Sequence, residues 1–217
     1  MNLNILLIIM YAYIQLGYKN SPIITMNLSQ LPKLIGVLGR SRSGKDTTAN
    51  IIMSLYPEQY ILRRFAQPIK NALKEIYDFT PEQLEDDEKE VIDKRYNITP
   101  RQAMQEMTAH YLKKHGGAFF SERVFTAFDI SASASDSATV SAPFGIIIPD
   151  VRYEHDINAI RNRGGIIIKV TRPSLTINQQ HTVEDNIQTF EGDFTIVNDG
   201  DILHLKNKIE SIFNQIL

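Results

Sequence analysis

Residues 39–45 read Gly-Arg-Ser-Arg-Ser-Gly-Lys, and this spacing constrains the fold more tightly than any other stretch of the chain. A loop turning on two glycines exposes successive backbone N–H groups, and a helix that starts at its end adds a positive dipole terminus. Together they cradle phosphate oxygens. Arg42, Ser43, Gly44 and Lys45 are the residues that would do so here, with Lys45 as a point charge on the outer phosphates. The flanks agree. Leu34, Ile35, Val37 and Leu38 form a short apolar run of the kind buried in parallel sheets, and Thr47–Leu55 follows with helical spacing. One position departs from the usual pattern, since the hydroxyl residue expected after the Lys to hold Mg²⁺ is Asp46. One residue turns a helix by about 100°, so Thr47 does not simply take over. Either Asp46 reaches the metal through water, or Thr47 contacts phosphate and the metal is held elsewhere. An acidic residue in a first helical turn is also favoured by the dipole alone.

Strands and helices alternate along the rest of the chain. Tyr60–Phe65, Phe144–Ile148, the GGIIIKV run from Gly164 and Phe194–Val197 read as four further strands. Helices fit at Glu154–Arg163 and Val183–Phe190, and a closing helix from Ile202 carries Leu205, Ile209, Ile212 and Ile216 at helical spacing. This pattern predicts an α/β fold of three layers, a five-stranded parallel sheet covered on both faces. Between the second and third strands, Ala66–Phe128 reads as almost wholly helical, with Pro68, Pro81 and Pro100 near helix starts. Ile130–Ser141 is a Ser/Ala-rich stretch expected to form a mobile surface loop. The segment exceeds what a crossover needs. An insertion at about 66–142 would overhang the carboxyl ends of the strands, where ligands bind in open α/β sheets.

Composition narrows the chemistry. The 217 residues are 43% hydrophobic and 22% charged, which suits a soluble protein with a real core. With 23 basic and 25 acidic side chains the net charge is -2, which gives no footprint for nucleic acid or a membrane surface. The absence of Cys excludes disulfides, thiolate chemistry and Cys-ligated metals, and the five His lack zincin spacing. Residues 1–18 are uncharged but have no basic region before the apolar run Ile5–Met10, and Asn2, Asn4, Gln15 and Gly17 break it. A buried strand or helix would satisfy this segment. We expect instead an extension over residues 1–30, with Met26 as the working start, then a domain over 31–217 and a cytoplasmic location.

Four segments at matching distances resemble phage-type deoxynucleoside monophosphate kinases. Gly39–Ala49, GRSRSGKDTTA, is similar to that family's phosphate loop with its G-K-D-T. Phe65–Lys70 resembles its F-A-x-P-x-K element, Thr99–Gln105 its T-P-R-x-x-x-Q helix start, and Pro149–Tyr153 the D-V-R ending its third strand. Val170–Pro173, His181–Glu184 and Val197–Gly200 are also similar, so the likeness covers roughly Leu31–Leu217. It implies a P-loop kinase fold with a helical monophosphate-binding insertion, and transfer of the γ-phosphate of ATP to a deoxynucleoside monophosphate with Mg²⁺.

The residues can be weighed beside that likeness. Phosphoryl transfer joins two anions and so needs cations that stay protonated. Arg40, Arg42, Arg63, Arg64, Arg101, Arg152 and Arg172 fall where strands end or insertion helices begin. Lys45, Asp150 and Arg152 are the catalytic candidates, with Asp46, Thr47 and Asp150 for the metal; Asp150 could instead cap the helix near Tyr153. Arg40, Arg64, Lys70, Arg101 and Arg152 are expected at the monophosphate and Gln102 or Gln105 at the base edge, since an amide both donates and accepts. Glu154 or Asp156 would bond a deoxyribose hydroxyl or merely solvate their helix. Arg163 and Arg172 would close over ATP. Thr182 serves equally as a helix cap, and the acidic run Glu82–Glu90 reads as a solvated face. Alternatives remain: a P-loop kinase for dephospho-coenzyme A or phosphomevalonate, or a non-catalytic nucleotide-binding module. The oligomeric state is open, a homodimer included.

Overall fold

The computed structural model describes residues 30–85, 87–133, 145–174 and 187–217. Most of the expected extension 1–30, the remainder of the Ser/Ala loop, and His181, Thr182 and Glu184 therefore lie outside the described residues. Among those described, no helix is long and apolar enough to cross a membrane.

Five parallel strands lie in the order β2-β3-β1-β4-β5: β1 (Leu34–Leu38), β2 (Tyr60–Leu62), β3 (Gly145–Val151), β4 (Ile166–Thr171) and β5 (Phe194–Val197). The central β1 is buried at every position, because both its faces are covered. Alternation sorts the side chains into two layers. Leu34, Leu38, Ile146, Ile148 and Ile167 join one apolar cluster, while Ile35, Val37, Ile147, Ile168 and Ile196 are buried outside it. The first cluster takes in α6 (Glu154–Arg161) through Ile157 and Ile160. The second set includes Ile52 of α1 (Lys45–Leu55) and Leu205, Ile209 and Phe213 of α7 (Ile202–Ile216). Those two helices meet where Tyr56 packs on Phe213, with ring centroids 4.8 Å apart.

The insertion comprises α2 (Gln67–Tyr77), α3 (Pro81–Glu85), a 3-10 turn over Asp87–Glu90, α4 (Pro100–His115) and α5 (Phe119–Ser133). Pro68, Pro81 and Pro100 do stand in first turns, where a missing N–H costs nothing. It is less uniformly helical than its sequence suggests, since residues 91–98 form a loop pinned by the antiparallel bridge Asp93–Ile98. A buried Asp93 carboxylate organises that loop, bonded by Arg95 and by Gln83 Nε2 at 3.0 Å. Phe65, Ile69, Leu73, Phe79, Leu84, Ala103 and Phe125 bury into the same cluster as β1 and β3, so the insertion shares one core with the sheet.

Most expected boundaries shift by one or two residues, as where the helix expected to Arg163 ends at Arg161, and three shift further. β2 stops at Leu62, three residues early, and the chain turns at Arg63–Ala66. β3 extends past Ile148 to Val151, with a bulge between the pairs Gly36–Ile148 and Leu38–Val151. Pro149 lies there, without an N–H for the ladder, and the register slips just before Asp150 and Val151 end the strand. Helix α5 continues to Ser133, into the stretch expected as a loop.

Candidate active site

The loop after β1 has the form its glycines imply. Gly44 sits at φ 104° as the N-cap of α1, and Arg42 at φ 61°. A Cβ on Gly44 would lie 2.4 Å from Asn198 Nδ2, and one on Gly39 2.4 Å from the Val170 carbonyl oxygen. Neither turn admits a side chain. Asn198 Nδ2 donates to the Ser43 carbonyl at 2.8 Å, so the segment after β5 braces the loop. Lys45 is 7% exposed, and its ammonium donates to the Arg40 carbonyl at 2.6 Å. Ser43 Oγ and Thr48 Oγ1 are fully buried without a hydrogen-bond partner. A buried hydroxyl without a partner costs about 1–3 kcal/mol, which a phosphate oxygen at this loop would offset for Ser43. Beside the loop lies a cavity of about 420 Å³, bounded among others by Gly39, Arg40, Ser43, Arg172 and Ile187. The donor set therefore fits a polyphosphate.

The turn after β2 ties the two candidate carboxylates together. Asp46, 60% exposed, pairs with Arg64 at 2.6 Å. Asp150 accepts from Phe65 N at 3.0 Å and from Ala66 N at 2.9 Å, one bond to each carboxylate oxygen. Asp150 thus caps the entry to α2, not the helix near Tyr153. Thr47 is exposed on the first turn of α1. Among the described residues no group of three or more His, Cys, Asp or Glu could hold a metal ion. Two carboxylates at one turn suit Mg²⁺, which keeps its waters and draws most ligands from phosphates.

The insertion carries further cations, two of them paired with carboxylates. Lys70 of α2 pairs with Glu85, and Arg101 of α4 pairs with Glu90. Lys89, on the 3-10 turn, is half-buried and donates to the Glu85 carbonyl at 3.4 Å. Burial first, and then the neighbouring Arg101 and Lys70, push its ammonium pKa below the ordinary value; Glu90 opposes this and Arg152 adds to it. Lys89 therefore stands between the Lys70–Glu85 and Arg101–Glu90 pairs.

Other candidates fall differently. Asp156 is 4% exposed and accepts from Arg152 N and Tyr153 N, both at 3.2 Å, capping α6 rather than reaching a sugar. Burial pushes its carboxyl up to about 7, with Asp150 contributing to the rise. Glu154 is exposed. Gln102 donates to Glu106 at 2.8 Å along the outer face of α4, and Gln105 is exposed beside it. Arg172 lines the cavity with Arg40. The structure does not bring Arg163 to the site. It follows α6 and precedes β4, at the amino end of the strands, where it binds Glu122 at 2.6 Å and lies 4.4 Å from the Phe125 ring centre. Sequence reading missed Lys89, Glu85 and Glu90, which lie in or beside an acidic run with no motif. It noted Asn198 only as part of a familiar segment.

The sequence profile of the deoxynucleotide monophosphate kinase family matches residues 33–111 and 123–209. A candidate deoxynucleotide monophosphate kinase of Acanthamoeba polyphaga mimivirus is 27% identical over 191 residues, covering 85% of this chain and 94% of that protein. The deoxynucleotide monophosphate kinase of Enterobacteria phage T4 is 37% identical over 65 residues, 30% of this chain and 27% of that one. Among solved structures, shikimate kinase from Aquifex aeolicus aligns at a TM-score of 0.45 and 11% identity, over 84% of this chain and 96% of that one. A family match spanning both the phosphate loop and the insertion leaves the assignment plain: the chain belongs to the deoxynucleotide monophosphate kinase family.

Proposed function

We propose that this kinase transfers the γ-phosphoryl group of ATP to a deoxynucleoside monophosphate, giving the diphosphate, within the cytoplasm and on free nucleotides. The observation that carries this reading is the meeting of two cationic sites at one turn. The phosphate loop reaches Arg64 through Asp46, and the helix that starts from that turn carries Lys70, paired with Glu85, as Arg101 is with Glu90. Ser43, Gly44, Lys45 and Thr47 hold the donor phosphates, with Arg40, Arg42 and Arg172 at the rim. Arg64, Lys70, Arg101 and Arg152 hold the acceptor phosphate, and of the two amides Gln105, one helical turn beyond Arg101 on the same face of α4, is the better placed for the base edge, since Gln102 donates to Glu106. The kinase domain is taken as 31–217, with the acceptor insertion at about 66–142.

An oxygen of the acceptor monophosphate attacks the γ-phosphorus as the bond to the leaving diphosphate breaks. A phosphomonoester is already largely ionised at neutral pH, so no side chain need act as general base. Lys45 and the loop N–H groups stabilise charge gathering on the leaving oxygen, and Arg152 stabilises the transferring group. Mg²⁺, held by Asp46, Thr47 or Asp150, would neutralise and orient the outer phosphates. Release of ADP should depend on both Mg²⁺ and an added acceptor, assayed across the four deoxynucleoside and four ribonucleoside monophosphates. Turnover without acceptor would instead indicate an NTPase, preference for dephospho-coenzyme A a different kinase, and no turnover a binding module.

A further inference from the structure

The segment joining α3 to α4 has no role in the acceptor site as drawn so far, yet it bridges both of the insertion's anchors. Its Glu85 binds Lys70 of α2 and its Glu90 binds Arg101 of α4. Between those two carboxylates it carries Lys89, whose ammonium donates to the Glu85 carbonyl and stands within electrostatic range of Arg101, Lys70 and Arg152. Among the described side chains, Lys70, Lys89 and Arg101 thus meet at one short stretch with two carboxylates, Glu85 and Glu90, paired among them. A like-charged cluster of this kind is costly unless an anion is meant to join it. A dianionic phosphomonoester has the missing charge, and its three oxygens suit convergent N–H donors.

We infer that Lys89 is a ligand of the acceptor's phosphate, and that Glu85 and Glu90 are the carboxylates with which that phosphate exchanges, an inference that rests on the acceptor site proposed above. Glu85 and Glu90 already hold Lys70 and Arg101 in ion pairs, so less side-chain entropy remains to be lost when phosphate replaces them. Lys89 gains most from the exchange. It is half-buried between the Lys70–Glu85 and Arg101–Glu90 pairs, and its hydrogen bond among the described residues is a long one to the Glu85 carbonyl. The burial and repulsion that lower its ammonium pKa are relieved when a phosphate enters.

The test is equilibrium binding and steady-state kinetics of the full chain with Lys89→Met, which keeps the aliphatic stem and removes the charge. Loss of one charge-assisted bond should raise the Kd and KM for the deoxynucleoside monophosphate about tenfold or more, with those for ATP held within twofold. Lys89→Arg should recover most of the loss. Thermal melting of both variants, with Lys89→Gln as a second neutral form, checks that the fold persists. Unchanged monophosphate binding in Lys89→Met, or equal weakening of both substrates, overturns the role of Lys89. Arg101→Ala runs beside it. If Arg101→Ala also leaves monophosphate binding unchanged, the acceptor site itself is wrong; if only Arg101→Ala weakens it, the site stands and Lys89 is not part of it.

Discussion

The phosphate loop presents main-chain donors fixed by φ angles that glycine permits, braced by Asn198 and floored by buried Ser43 and Thr48. The acceptor side presents long side chains instead, and holds three of them against carboxylates: Arg64 of the preceding turn on Asp46, and Lys70 and Arg101 of the insertion on Glu85 and Glu90. The difference follows from what each must hold. The donor's outer phosphates are the same whatever the acceptor, so a rigid cradle loses nothing by being built in advance. The acceptor has to arrive, be positioned and leave as product, so its cations need partners they can trade. A fixed backbone site supplies transition-state stabilisation, and a set of exchangeable ion pairs supplies binding.

That contrast is broken most directly at Lys45. Lys45→Ala should lower kcat by on the order of 10²–10³, because the lost charge acts where the leaving diphosphate gathers negative charge. The melting temperature should hold, since the ammonium donates to a carbonyl of the loop rather than to a group of the apolar core. A kcat within tenfold of wild type would mean that the cradle is not the catalytic half.

Asp156 tests whether Arg152 is presented as rigidly as the loop, since its carboxylate fixes the Arg152 and Tyr153 N–H groups. Burial, chiefly, raises its carboxyl from 3.8 to about 7 in the folded chain. The folded state then binds a proton that the unfolded state has released, so this group's contribution is present in full below pH 4 and declines as pH rises through 7. Asp156→Asn accepts the same two bonds without ionising. Its unfolding free energy should gain on wild type by on the order of 2–4 kcal/mol between pH 4 and pH 8. Parallel curves in denaturant titrations at the two pH values would show that Asp156 ionises freely.

Asp150→Ala probes the hinge between the two regions, since it frees the Phe65 and Ala66 N–H groups at the root of α2. Loss of that clamp should cost about 1–3 kcal/mol in urea unfolding. Activity should fall as well, and adding Mg²⁺ should restore little of it if the clamp is the main role. Full stability with activity rescued by Mg²⁺ would make Asp150 a metal ligand alone.

What could be read from sequence divides along the same line. The cradle was legible because its donors are backbone groups fixed by local spacing, from Gly39 to Lys45. β5 and the start of α7 were also placed correctly by period and turn chemistry. The insertion's pairing was not legible, since Glu85 and Glu90 find partners on other helices and an acidic run viewed alone looks solvated. Asp150 caps a turn 85 residues earlier in the chain, which no local pattern encodes. Arg163 was misplaced for a different reason. A residue between a helix and the next parallel strand lies at the amino end of that strand, away from the phosphate loop, and the eight residues of α6 span about 12 Å. Strand polarity could have excluded it.

The smallest effect expected is the one most specific to exchangeable pairs. If Glu90 merely orients Arg101, Glu90→Gln should weaken monophosphate binding, because the guanidinium loses its charged partner. If Glu90 competes with phosphate, the amide removes a rival while still accepting one hydrogen bond, and binding should tighten by about two- to fivefold. The pair is half exposed on the Glu90 side, so the gain is small and should shrink as salt is raised from 50 to 500 mM, a concentration range over which screening grows strongly. ATP affinity should not move in either case. The sign of the change in Kd for the monophosphate, measured by calorimetry at low salt, therefore decides between a positioning carboxylate and a competing one.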